Sequence, residues 1–225
     1  MPDAVGSGRP VRYQRRDFWS EENLRYRKPH LRMEKAAKII SRLAAGQDHE
    51  LLDVGCGPAT LKGLLPANVH YHGLDIAIQE SAPYLLEADL LKEPIRFGNR
   101  TFDIAVAQGF FEYVGEFQEQ KFAEIAAVLA AGGRFVTSYV NFGHRDRDIY
   151  APYNNVQPLP DFRQSLARYF RIDRMFPTSY NWHHREPLRQ PFRAVNMRLN
   201  ATIPVLAPRL AVQYLFICSP RPPVA

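Results

Sequence analysis

The chain carries only two cysteines, Cys56 and Cys218. They stand far apart with no paired-cysteine or Cys/His spacing, which excludes a disulfide framework or a zinc site as the organising feature. An apolar leader is not expected either: no apolar signal region precedes Arg9, and the longest apolar run near the end is broken by Pro208 and Arg209. Neither export nor a membrane span is expected, and the reducing cytoplasm is the expected setting. Internal repeats and low-complexity segments are lacking too. With 225 residues, 46% hydrophobic and 23% charged, the chain suits a single globular domain with a sizeable core.

Acidic residues are scarce only at the start. Residues 1–42 carry 11 Lys and Arg against 5 Asp and Glu, while the remainder is balanced at 18 against 18, so the net charge of +6 arises at the N-terminus. Residues 1–28 read as a basic arm. Such an arm suits an anionic substrate, RNA, an acidic carrier protein or a membrane surface, and equally a plain solvated helix face.

From Pro29 the pattern is regular. Met33, Ala36, Ala37, Ile40 and Leu43 recur at helical spacing, with Pro29 suited to a first turn and Gly46 to a stop. Short apolar runs then alternate with helical stretches: "ELLDVG", a helix over 59–65, "VHYHGLDI", a short link, "YLLEADL", "FDIAVAQ", a helix over 116–129, and "GRFVTSYV". A helix at "LPDFRQSLARYF" leads to strands "RIDRMFPTSY" and "AVQYLFICS". This alternation predicts an α/β fold, a doubly wound, mostly parallel sheet of seven strands whose last strand enters antiparallel. Residues 29–225 thus read as one domain. An insert at 181–208, rich in Asn, His, Arg and Pro, separates the last two strands and reads as a lid.

In such a sheet, ligands bind beyond the C-terminal ends of the strands. Gly55 and Gly57 fall there, after the first strand, where the lack of a Cβ lets ligand atoms lie against the backbone. Asp75 closes the second strand, 22 residues after Asp53, the spacing of an acid that accepts both hydroxyls of a ribose. Three nucleoside ligands compete. A phosphate-cradling loop needs Gly-Lys-Ser/Thr, whereas Pro58, Ala59 and Thr60 follow Gly57. NAD calls for a third glycine where Thr60 stands. S-adenosyl-L-methionine has no pyrophosphate to seat and tolerates the change.

At these residues the sequence resembles the class I S-adenosylmethionine-dependent methyltransferases, whose fold is Rossmann-like. "LLDVGCGPA" is similar to their first motif, "GLDI" to the acidic second-strand motif, "EADL" to the third-strand loop, "FDIAVAQGFFEYV" to the fourth strand and its turn, and "LAAGGRFVTSYVNFG" to the fifth-strand motif. "VTSYVNFGH" resembles the small-molecule branch that includes ubiquinone-type and methionine-biosynthesis-associated methyltransferases. The resemblance implies S-adenosyl-L-methionine as cofactor. Gly55, Cys56 and Gly57 would face its methionine part, with Asp53 shaping the loop and favouring its ammonium group. Asp75 would hold the ribose, Ile76 would pack on the adenine, and Asp89 with the Leu90 backbone would read the adenine edge. Gln108 and Gly109 would line the sulfonium end, walled by Phe110, Phe111 and Tyr113.

Methyl transfer asks mainly for alignment and exclusion of water, with a base only where the acceptor must lose a proton. His144, His183 and His184 are the candidate bases, with Tyr139 and Asn141 among the polar and aromatic lining and His30 near the mouth. No metal is implied. No Asn-Pro-Pro-Tyr-type tetrapeptide follows the fourth strand, where "QGFFEY" stands, which by resemblance speaks against DNA bases. The expected activity is transfer to an O or N atom of a small-molecule acceptor. An RNA methyltransferase using the basic arm and a non-catalytic, partner-binding module are the alternatives.

Overall fold

A computed structural model describes residues 15–141, 157–180 and 211–221. Seven strands form one sheet: β1 (His49–Val54), β2 (Val69–Asp75), β3 (Leu85–Glu87), β4 (Phe102–Ala107), β5 (Leu129–Val140), β6 (Phe170–Tyr180) and β7 (Ala211–Pro220). Their spatial order is β3-β2-β1-β4-β5-β7-β6. β1 pairs in parallel with β2 and β4, while β7 runs antiparallel between β5 and β6. The fold is the expected one, with the last strand reversed. The insert at 181–208 and the histidines His144, His183 and His184 lie outside the described residues.

Alternation along the strands divides the core between the two faces of the sheet. Leu51, Ile104, Val106, Val136 and Leu215 face α2 (Leu31–Leu43), whose apolar stripe is Met33, Ala36, Ala37 and Ile40. Leu52, Ala105, Phe135, Tyr139 and Phe216 face the opposite way, toward α3 (Gln118–Val128) and α4 (Leu159–Tyr169), which contribute Phe122, Ile125, Phe162 and Leu166. The first helix, α1 (Arg16–Glu22), continues into a 3-10 turn at Asn23–Arg27.

Two local expectations change. The helix expected over 59–65 is a 3-10 turn, Thr60–Leu64, entered through Ala59 in the left-handed region (φ 54°). Gly63 and Pro66 leave little room for a longer helix there. The fifth strand starts at Leu129, before the Gly-Gly turn, because Leu129 already pairs with Phe102 and a register shift absorbs the glycines.

Gly73 shows how tightly β2 packs under the first loop. A Cβ there would come within 2.8 Å of both Cys56 Sγ and Leu85 Cδ2. Gly73→Ala is expected to cost about 1–3 kcal/mol through overpacking, and urea unfolding of the two proteins checks it.

Candidate cofactor and acceptor site

A cavity of about 200 Å³ opens at the C-terminal ends of the parallel strands. Asp53, Gly55, Cys56 and Gly57 enter it from β1 and its loop, Asp75 and Ile76 from β2, Asp89 and Leu90 from beyond β3, and Gln108 and Gly109 from beyond β4. All ten residues assigned from the sequence to cofactor binding thus line one cavity. Trp19, Asn23, Tyr26, His30 and Arg32 from the N-terminal elements line it as well.

The first loop is tied to the second strand through Asp75. Gly55 (φ 71°) and Gly57 (φ 55°) both stand in the left-handed region, where a side chain would be strained. Asp75 Oδ2 accepts from the Gly57 N–H at 2.8 Å, and Oδ1 accepts from the Ala77 N–H at 2.9 Å and the Asn23 amide at 3.3 Å. Burial raises the Asp75 carboxyl above its ordinary range, while these donors favour its charge. Behind it, Tyr71 Oη donates to Asp53 Oδ2 at 2.8 Å, and burial pushes Asp53 up to about 7. Asp89 pairs with Lys92 at 2.6 Å and accepts from the Leu91 N–H at 3.2 Å.

Arg32 and Glu112 at this site were not assigned a role from the sequence. Glu112 follows β4, is 5% exposed, and neither of its carboxylate oxygens has a hydrogen-bond partner. Burial pushes it up to about 7 against the favourable field of Arg32 and, more weakly, the backbone N–H groups of Glu112 and Val140. Arg32 Nε and Gln108 Oε1 are likewise buried without partners, and the Arg32 guanidinium lies against Gly109, 2.8 Å from where a Cβ would stand. His30, half-buried beside Arg32, is pushed down to about 4, chiefly by burial, and is neutral at pH 7. The signal for Glu112 was present in "GFFEYV": an acid inside an apolar run at a strand end needs a reason to be buried. Arg32 carries no such signal, since residues adjacent on a helix do not share a face, and packing alone brings it to the cavity.

The aromatic wall divides. Phe110 and Tyr113 line the cavity, but Phe111 is 1% exposed and packs in the core against Phe122 and Phe162. Tyr139 also belongs to that core, stacked on Phe162 at 3.8 Å, with its hydroxyl bonded to the Gln157 backbone. Neither lines the cavity. Among the described residues no group of three or more His, Cys, Asp or Glu is placed to hold a metal, and no helix is long and apolar enough to cross a membrane.

A stability consequence follows from the two raised acids. Asp53 and Glu112 hold protons in the folded protein up to about pH 7, whereas unfolded they release them near pH 4. Their contribution to stability is present below pH 4 and lost as pH rises through 7. The melting temperature of the ligand-free protein is therefore expected to fall between pH 5.5 and 8, and to fall less in Glu112→Gln, as read by thermal unfolding.

The family model described as "Methyltransferase domain" matches residues 25–199, and the chain belongs to that family. The solved structures it resembles share the fold. A chain of the Haloferax volcanii Trm112 methyltransferase activator complex aligns with a TM-score of 0.63 at 15% identity, covering 96% of this chain and 99% of that one. A SAM-dependent methyltransferase from Archaeoglobus fulgidus aligns at 0.59 with 14% identity, over 89% and 98% of the two chains. The N-methyltransferase NodS from Bradyrhizobium japonicum, in complex with S-adenosyl-L-homocysteine, aligns at 0.56 with 12% identity, over 91% and 98%. No curated protein matches the sequence. The chain therefore carries a methyltransferase domain in the fold that these solved structures share.

Proposed function

We propose that the cavity binds S-adenosyl-L-methionine and directs methyl transfer to an O or N atom of a small-molecule acceptor. The observation that carries this reading is the cavity itself, into which the strand ends and the N-terminal elements converge. Its volume of about 200 Å³ is lined by Trp19, Asn23 and Tyr26 together with the strand-end loops, a space on the scale of a nucleoside and a metabolite-sized group.

The residues present fit the cofactor. Positive φ at Gly55 and Gly57 keeps the first loop free of side chains at those two positions, Asp75 is fixed at the end of β2 by three N–H donors, and Arg32 Nε, Gln108 Oε1 and the Glu112 carboxyl are buried without partners at hydrogen-bond geometry. Such atoms call for a ligand carrying both donors and acceptors. Asp75 would hold the ribose, with Ile76 against the adenine and Asp89 with the Leu90 backbone at the adenine edge. Asp53, Gly55, Cys56 and Gly57 would hold the amino-acid end, and Gln108 with Gly109 the sulfur. When bound, the cofactor supplies a methyl group already activated by a sulfonium. The chain's contribution is then to orient the acceptor against that carbon and to keep water out, for which Trp19, Phe110 and Tyr113 provide an apolar wall.

The RNA reading loses support from the same N-terminal elements. Arg16 pairs with Glu87 at 2.7 Å, Arg25 with Glu22 at 3.1 Å and Arg15 with Asp17, while Arg27 donates to Gln79 at 2.8 Å and Lys35 to the Thr178 carbonyl at 3.1 Å. Cations answered within the chain leave less charge for phosphates. Incubation with tritiated S-adenosyl-L-methionine against a metabolite extract and against total RNA separates the readings. Label in the small-molecule fraction is the expected result; label in RNA alone overturns it.

A further inference from the structure

Among the acids of the cavity Glu112 is alone in having no partner at hydrogen-bond geometry, only the weaker pull of the Glu112 and Val140 backbone N–H groups. Asp75 is answered by three N–H groups, Asp53 by Tyr71, and Asp89 by Lys92. Glu112, in the turn after β4, has both oxygens buried without a partner at hydrogen-bond geometry, and it lines the cavity that Gly109 and Val140 of β5 also line. A buried carboxylate in this state either takes up a proton or waits for a cation. The fixed charges around it do not settle it: Arg32, from α2, acts through space without a hydrogen bond to Glu112, and its field is shared with Asp53. His30 is neutral at pH 7, and Tyr139, from β5, has its hydroxyl engaged by Gln157.

We propose that Glu112 is the group that makes the site prefer the cationic methyl donor over its neutral thioether product. This rests on the reading that the cofactor occupies this cavity with its sulfur toward Gln108 and Gly109. The two forms of the cofactor differ by one positive charge at sulfur and carry the same adenosine, ammonium and carboxylate groups. A carboxylate that distinguishes them acts by its field, because a sulfonium offers no N–H or O–H. For unit charges within about 10 Å at an effective dielectric constant near 20, the Coulomb energy corresponds to an affinity factor of roughly ten or more. The field strengthens capture of the donor and is lost once the sulfur becomes neutral, so the preference also speeds exchange of spent cofactor.

Calorimetric titration at pH 8 tests this with three probes: S-adenosyl-L-methionine, S-adenosyl-L-homocysteine, and sinefungin, whose amine-bearing carbon supplies a cation in place of the sulfonium. In Glu112→Gln, an isosteric and neutral change, affinity for the two cationic probes is expected to fall about tenfold. Affinity for the thioether should change less than about twofold. Glu112→Asp keeps the charge and is expected to recover part of the preference, with melting curves confirming that both variants are folded. The wild-type ratio of cationic to neutral affinity is expected to climb from pH 6 to 8, because a bound cation favours the ionised carboxylate. The climb is smaller in Glu112→Gln, where Asp53 alone still titrates in that range. Equal loss for all three probes would place Glu112 at the common ammonium group and overturn the proposal, and no loss for any would place it at the acceptor and overturn it as well. A wild type that binds none of the probes would instead sink the cofactor-site reading on which it rests.

Discussion

Asp75→Ala is expected to abolish the thermal stabilisation that S-adenosyl-L-homocysteine gives the wild type. A ligand at a hundred times its Kd stabilises the native state by about 2.7 kcal/mol, which for a chain of this length raises Tm by roughly 5–11 °C. In the variant that rise should vanish at the same ligand concentration. The reason lies in how many groups Asp75 holds. Its carboxylate fixes the Gly57 N–H, the Ala77 N–H and the Asn23 amide, so the first loop, the start of the β2–β3 link and the N-terminal roof converge on one side chain. Truncation removes the group that would accept the ribose hydroxyls and also frees the three parts that shape its surroundings. Charge-assisted hydrogen bonds of this kind are worth about 1.5–3 kcal/mol each, and losing two is enough to move binding out of the accessible concentration range. Differential scanning fluorimetry of both proteins with the homocysteine product and with NAD reads the result. A variant that still shifts as the wild type does would remove Asp75 from the cofactor site. A wild type that shifts with NAD would contradict the proposed fit of the cavity.

How far the site could be read in advance depended on what constrains each residue. The glycines of "DVGCGP" and the acid of "GLDI" were legible because a left-handed turn and a strand-end carboxylate restrict residue type locally. Seven strands were legible for the same reason, since alternation and turn residues are short-range signals. Arg32, Glu112 and Asn23 came from elsewhere. Each reaches the cavity only because α1, α2 and the turn after β4 close on the same strand ends, and no spacing in the sequence encodes that convergence. The adjacent Phe110 and Phe111 make the point within two residues: one lines the cavity and the other fills the core, a division set by the turn geometry rather than by composition. The stretch over 59–65 reads as helical by its apolar spacing, yet the chain leaves β1 through Ala59 at positive φ and closes only a 3-10 turn.

Phe162→Ala should produce the complementary failure, a large loss of stability with ligand response retained. Phe162 is fully buried. Its ring stacks on Tyr139 at 3.8 Å with 7° between planes, and meets Phe111, Phe122 and Phe216 at 5.9, 5.7 and 5.6 Å. Removing it takes away the transfer free energy of the ring and opens a cavity that rigid aromatic neighbours fill poorly, a cost of about 3–5 kcal/mol. For this length the melting temperature should drop by roughly 6–20 °C. The core it holds reaches the site only at second hand, through Phe111 to Glu112 and through Tyr139 to Val140. The groups tied to Asp75 are on other elements. The rise in Tm on adding S-adenosyl-L-homocysteine should therefore persist in the Phe162→Ala protein while its baseline falls, the reverse of Asp75→Ala. If the ligand response disappeared along with the stability, the α3–α4 face would have to be counted as part of the binding site, and the separation between the two cores would be one of packing alone.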